Sequence, residues 1–269
     1  MEDHNNNNAS LTRLLLHKQP IKIYHQNIRS LRYKMNELLC NFSHDPPHIL
    51  YISEHHLYHE ELASFHIENY VLGSCYCRTS KHKGGVCIFL HNSRKFTSLD
   101  IDNFCLDQDF EACAICLNYK HDKLCILATY RSPRGNCNTF LTKFDLTLHK
   151  FYNYYFNCII CGDINVDYLT ESAKKTQLDK ILQSYNLSSI VNFTTQISLH
   201  SFSTIDNFFI DNSYLNKYNI IFFLLLLFSR LHDVSTSSCA HLTIILSSSS
   251  MCLCHSILLP LIPFPPSVL

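Results

Sequence analysis

Five apolar runs in this 269-residue chain each meet a polar side chain at a strand end, which confines the chain to a fold that buries strands and gathers their ends. The sharpest is Cys158-Ile159-Ile160-Cys161-Gly162-Asp163-Ile164-Asn165. A buried strand fixes the backbone there and Gly162 permits a tight exit. Asp163 and Asn165, two apart in an extended segment, then project the same way. Asp163 can polarise a water while Asn165 donates a hydrogen bond to a phosphate oxygen. An Asp after Gly at a strand end also serves as a plain turn residue.

The other runs repeat the arrangement. Ile21-Lys22-Ile23-Tyr24-His25-Gln26-Asn27 ends in a carboxamide, and Ile49-Leu50-Tyr51-Ile52-Ser53 delivers Glu54, a hard oxygen ligand suited to Mg²⁺ or Mn²⁺. Cys125 to Tyr130 ends in a phenolic donor followed by Arg131, which can pair with phosphate. Ser203-Thr204-Ile205-Asp206-Asn207-Phe208-Phe209-Ile210 adds a further carboxylate. Any one of these could be structural; recurring in order, they point to phosphate chemistry.

Strands are predicted near 21–25, 49–53, 70–75, 85–91, 110–118, 124–130, 157–162, 188–193 and 204–210. Helices fit 31–41, 139–151 and 174–185, the last with Leu178, Ile181, Leu182 and Tyr185 on one face. Many strands with few helices suit an α/β sandwich, two packed sheets flanked by helices. With 46% hydrophobic residues, a chain of this length buries one large core, or one core and a tail.

The motifs QNIRSL (26–31), SEHHL (53–57), GGV (84–86), YRSP (130–133), GDIN (162–165) and STIDNFFID (203–211) together resemble the endonuclease domain of non-LTR retrotransposons. That domain belongs to the exonuclease-endonuclease-phosphatase superfamily, and the similarity covers residues 20–213. The resemblance implies a four-layer α/β sandwich of two mixed sheets flanked by helices. It implies a Mg²⁺- or Mn²⁺-dependent nick of one DNA strand that leaves a 3′-hydroxyl. It places Asn27 and Glu54 at the metal and Tyr130 at the scissile phosphate. Asp163 and Asn165 would activate water and stabilise the transition state, and Asp206 would orient a histidine. A phosphatase of the same superfamily shares that metal core.

The chain departs from the family at that histidine. The family closes its site with Ser-Asp-His on a late strand, and the chain has no such tripeptide. His232 falls at a suitable distance from Asp206, inside Phe228-Ser229-Arg230-Leu231-His232-Asp233, with the dyad inverted. Composition also changes after Tyr214: only Lys217, Arg230 and Asp233 are charged beyond it, and the end is rich in Ser and Pro. The uninterrupted run Ile220 to Phe228 reads as a buried strand or as text shifted out of frame. The expected organisation is a disordered leader over 1–19, the endonuclease-like domain over 20–213, and a degenerate tail over 214–269 whose closing strands are incomplete. A remnant of this kind would bind nucleic acid without cutting it, or do nothing.

Formal net charge is zero, so no global field draws the chain to DNA, and phosphate contacts must come from local cations. Arg29, Arg131 and Lys83 stand beside strand ends and are the candidates, each with a solvated loop as its plain alternative. DNA is the expected partner, with no membrane and no obligate protein partner. The nine-residue run at 220 falls short of the ~20 residues a membrane helix needs. The expected location is nuclear or cytoplasmic rather than secreted. The 14 cysteines then read as buried free thiols. Cys75-x-Cys77 shares one face of a strand, and a zinc site there lacks a second ligand pair nearby in sequence.

Overall fold

The computed structural model describes residues 21–40, 46–79, 83–119, 122–152, 157–198, 201–215, 218–224 and 238–246. The early strands are β1 (Ile21–Asn27), β2 (Ile49–Ser53), β3 (Tyr70–Tyr76), β4 (Val86–His91) and β5 (Phe96–Leu99). The central ones are β6 (Glu111–Tyr119), β7 (Asp122–Tyr130), β8 (Asn157–Asp163) and β9 (Leu187–Ser189). The last are β10 (Gln196–Ser198), β11 (Ser201–Ser203), β12 (Asp206–Asp211), β13 (Tyr218–Leu224) and β14 (Ser238–Leu246). Four α-helices accompany them: α1 (Met35–Cys40), α2 (His59–Ala63), α3 (Cys137–Tyr152) and α4 (Ala173–Ser184).

One sheet runs β11-β10-β14-β1-β2-β4-β3, with β13 paired to β14; the other runs β5-β6-β7-β8-β12-β9. Each holds one parallel pair, β1–β2 in the first and β7–β8 in the second, among antiparallel neighbours. A parallel pair needs a crossover, and α1 and α3 supply the two. The result is an α/β sandwich of two mixed sheets flanked by helices.

Alternation along the strands sends side chains into two different apolar layers. Phe208 packs between the sheets with Ile23, Tyr51, Ile88 and Ile126, while Phe209 packs beneath the helices with Phe144, Leu178 and Leu182. On the far side of the first sheet, Leu50, Ile52 and Phe89 meet Leu38 of α1 and Leu62 of α2. Strands buried on both faces need no polar alternation, which is why they read as continuous apolar runs. Each fully buried side chain of this size contributes ~1.5–3 kcal/mol.

The structure differs from the sequence expectation at four places. The helix expected over 31–41 opens as a 3-10 turn at Leu31–Tyr33, and α1 spans only Met35–Cys40. The strand expected over 188–193 shrinks to β9. The five-residue α2, like β5, β10 and β11, is too short to leave a periodic signal. Last, the segment read as a tail with incomplete strands contributes β13 and β14. β14 lies antiparallel to β1 from Ile21↔Leu246 to Gln26↔His241, so β1 is paired along both sides. The leader over 1–19 and His232 lie outside the described residues. Among the described residues, no helix is long and apolar enough to cross a membrane.

Candidate active site

Strand register builds the site. Tyr130 on β7 stands opposite Asp163 on β8, which stands opposite Asp206 on β12, so one row across the second sheet carries a phenol and two carboxylates. In the first sheet, Asn27 at the end of β1 pairs with Ser53 at the end of β2, which places Glu54 just beyond. The two rows meet through Asn27. Its Nδ2 donates to Glu54 Oε1 at 2.7 Å and to Asp163 Oδ2 at 2.8 Å, bridging the sheets. Its Oδ1 accepts the Arg29 N–H at 3.2 Å, so the carboxamide spaces two carboxylates apart and keeps its oxygen turned away from them.

The surrounding bonds fix the two carboxylates. Tyr130 donates its hydroxyl to Glu54 Oε1 at 3.0 Å. Asn165 donates Nδ2 to Asp163 Oδ1 at 3.0 Å and to the Arg131 carbonyl at 2.7 Å. Glu54, His56 and Asn165 all hold left-handed backbone, with φ of 55°, 57° and 51°, a conformation that non-glycine residues keep only where neighbours enforce it. The enforcing groups are the carbonyls of Gly85 and Gly84, which accept the Glu54 and His56 N–H groups at 2.8 and 3.0 Å. This explains the GGV motif. Gly85 sits at φ 85°, and a Cβ there would come within 2.3 Å of His55 Nε2. Gly162 has a different reason: a Cβ would meet the Thr129 carbonyl oxygen at 2.1 Å, so glycine permits the close approach of β7 to β8.

Glu111, buried on β6, falls inside the strand predicted near 110–118 and carries no motif of its own. Its carboxylate pairs with Arg78, accepts the Gly85 N–H at 2.6 Å and accepts the Gln108 N–H at 2.9 Å. It thereby ties the glycine loop under Glu54 to the opposite sheet.

Charge is distributed unevenly along the cleft. Burial works to raise the Glu54 carboxyl, but hydrogen bonds from His56, Asn27 and Tyr130 outweigh it and hold it at about 2. Burial pushes Asp163 up to about 7, partly offset by the Asn27 bond and reinforced by the charge on Glu54. Burial and the Asp163 charge push Asp206 well above the ordinary carboxylate range. One ionised carboxylate and one basic carboxylate therefore stand either side of Asn27, an arrangement that can hold a hard cation and accept a proton near neutral pH.

Asn27, Arg29, Glu54, Asp163, Asn165 and Asp206 all line one cleft. Arg131, expected at phosphate, is 2% exposed. It donates to the carbonyls of Ile164 (2.8 Å), Gly135 (2.9 Å) and Asn165 (2.5 Å), bracing the turn that carries Asn165. Lys83 is exposed beside the glycine loop and does not line the cleft. The imidazole that faces Asp206 is His25, with Nδ1 3.7 Å from Oδ1; the ring is 1% exposed and stacked on Tyr51 at 4.4 Å. On β14 the tripeptide Cys239-Ala240-His241 occupies a late strand, with His241 across from Gln26. Gln26 turns away from the cleft to accept the Tyr24 hydroxyl at 3.0 Å. A histidine entering an apolar strand was the sequence signal for β14.

A second cluster lies apart from the cleft. His59, Cys75 and Cys77 place one donor atom each within 4.8 Å of one another, a group able to coordinate a metal ion.

No protein-family model and no curated protein sequence matches the chain. Solved structures do. The endonuclease domain of TRAS1, a telomere-specific non-LTR retrotransposon, aligns over 85% of this chain and 98% of its own, with a TM-score of 0.63 at 12% identity. The AP endonuclease of Leishmania major covers 86% and 89%, with a TM-score of 0.64 at 15% identity. A mannosyl-6-phosphatase of Bacteroides thetaiotaomicron covers 84% and 99%, at 0.57 and 14%. These likenesses show a shared fold, one found in structures described as endonucleases and as a phosphatase.

Proposed function

We propose that this chain is a DNA-phosphate-binding domain descended from a metal-dependent, retroelement-type endonuclease, with its metal and water side kept and its hydrolysis impaired. The observation that carries the reading is the Asn27 bridge between Glu54 and Asp163, in a cleft where, among the residues whose side chains are described, the imidazole paired with Asp206 is the buried His25. The donor set suits Mg²⁺ or Mn²⁺: Glu54 is ionised and hard, and such ions bind through one or two carboxylates, with substrate oxygens filling other positions. Bound there, the ion would supply positive charge to the phosphate and the leaving oxygen.

In that reading, Glu54 holds the ion and Asn27 sets the gap between it and Asp163. Asp163 takes the proton of the attacking water as its oxygen bonds to phosphorus. The P–O3′ bond breaks and the leaving 3′ oxygen must gain a proton to become a hydroxyl. On binding, Tyr130 and Asn165 would exchange the hydrogen bonds they give Glu54 and Asp163 for ones to the phosphate, and Arg29 and Lys83 would contact the strand. Among residues whose side chains are described, none lining the cleft is a histidine. Without a positioned imidazole the rate falls by ~10²–10⁴. The test is binding of a short fluorescent duplex with and without Mg²⁺, alongside release of phosphate from a soluble monoester. Mg²⁺-dependent duplex binding is expected; monoester turnover without it would favour a phosphatase.

A further inference from the structure

We propose that His59, Cys75 and Cys77 form a binding site for a soft divalent cation, Zn²⁺ above all, separate from the carboxylate cleft. Strand geometry prepares it. Cys75 is the last residue but one of β3 and Cys77 follows two residues on, so both project to the face covered by α2, while Tyr76 between them packs into the inter-sheet core. Leu62, fully buried, seats α2 on that face and brings its first residue, His59, over the thiols.

The spacing fits a tetrahedral ion. His59 Nδ1 lies 3.7 Å from Cys75 Sγ. Zn–S and Zn–N bonds of ~2.3 and ~2.0–2.1 Å set sulfur and nitrogen ~3.6 Å apart around one zinc. Thiolate and imidazole donors select Zn²⁺ over Mg²⁺.

His55 is close but is not a fourth ligand. Its Nδ1 accepts the Leu57 N–H at 3.0 Å, so Nε2 carries the proton, lying 3.1 Å from the Tyr76 carbonyl and 3.8 Å from Cys77 Sγ. Among the described residues, that gives three protein ligands. Because His55 follows Glu54 in the chain, an ion here would pin the end of β3 behind the Glu54 loop.

The full-length protein in Mg²⁺ buffer is titrated with Co²⁺ as a spectroscopic substitute, then with Zn²⁺. Expected is one equivalent of Co²⁺ with thiolate charge-transfer absorbance, displaced by Zn²⁺ and absent from C75S/C77S. His59→Ala should weaken binding by more than the ~10–100-fold that loss of an outer-shell partner costs. On the unaltered protein, Zn²⁺ should slow alkylation of Cys75 and Cys77 and leave the partly exposed Cys137 at its metal-free rate. Absorbance that persists in C75S/C77S, equal protection of Cys137, or no stoichiometric binding would overturn the site and leave only a thiol–imidazole hydrogen bond. None of these readouts depends on DNA binding or cleavage.

Discussion

The two sides of the cleft are built to different standards. On one side, Asn27, Glu54, Asp163 and Asn165 are held by bonds that the fold also needs. The glycine-loop carbonyls fix Glu54, Glu111 fixes the glycine loop, and Arg131 fixes the turn after Asp163. On the other side, Asp206 meets a buried His25, and the late strand offers Cys239-Ala240-His241 in register with Gln26, not with Asn27. The difference teaches that side chains woven into core hydrogen bonds stand as long as the fold stands. On the reading proposed above, these would be the metal and phosphate groups, and a proton-handling group contributed by one late strand could be lost without disturbing them.

The comparison breaks most visibly at Asp163. Asp163→Ala is expected to remove the remaining nicking by ~10²–10⁴ while duplex binding changes far less. Equal loss of both would mean that the two functions are not separable. Glu111→Ala should cost ~3–5 kcal/mol in denaturant unfolding, since it strands Arg78 as a buried unpaired cation. A cost near zero would detach the Glu54 loop from the core. Gly162→Ala is expected to cost ~1–3 kcal/mol by pushing β8 off the Thr129 carbonyl.

Asp206→Asn should act in the opposite direction and more weakly. Folding raises the Asp206 pKa, so its protonated form favours the native state. That contribution is complete below the ordinary value of 3.8 and is lost as pH rises through the folded value. Asparagine stays neutral, so the variant should be more stable than wild type at pH 8, and the gain should fade toward pH 4. Asp163, Glu54, Arg29 and His25 surround the group, and a gain independent of pH would show that their charges do not reach it.

Much of this was legible in the sequence because each cleft residue ends or begins a strand that is buried on both faces. Asn27, Glu54, Asp163, Asn165 and Asp206 share one cleft for that reason. Arg131 shows the limit: a guanidinium after a strand reads the same whether it meets phosphate or three carbonyls. Glu111 and the His59–Cys75–Cys77 group were hidden because their partners are 16 to 33 residues away and meet only after the sheets pack. β13 was hidden because it lies in the apolar run from Ile220, and a run without alternation does not say which edge it will cover.

The most direct measurement is nicking of supercoiled plasmid in Mg²⁺, with Mg²⁺-dependent duplex binding followed on the same preparation and the TRAS1 endonuclease domain run alongside. The expected result is retained binding with nicking ~10²–10⁴ slower than that reference. Nicking at the reference rate, or folded protein with no Mg²⁺-dependent binding, would contradict a site whose two sides differ as described.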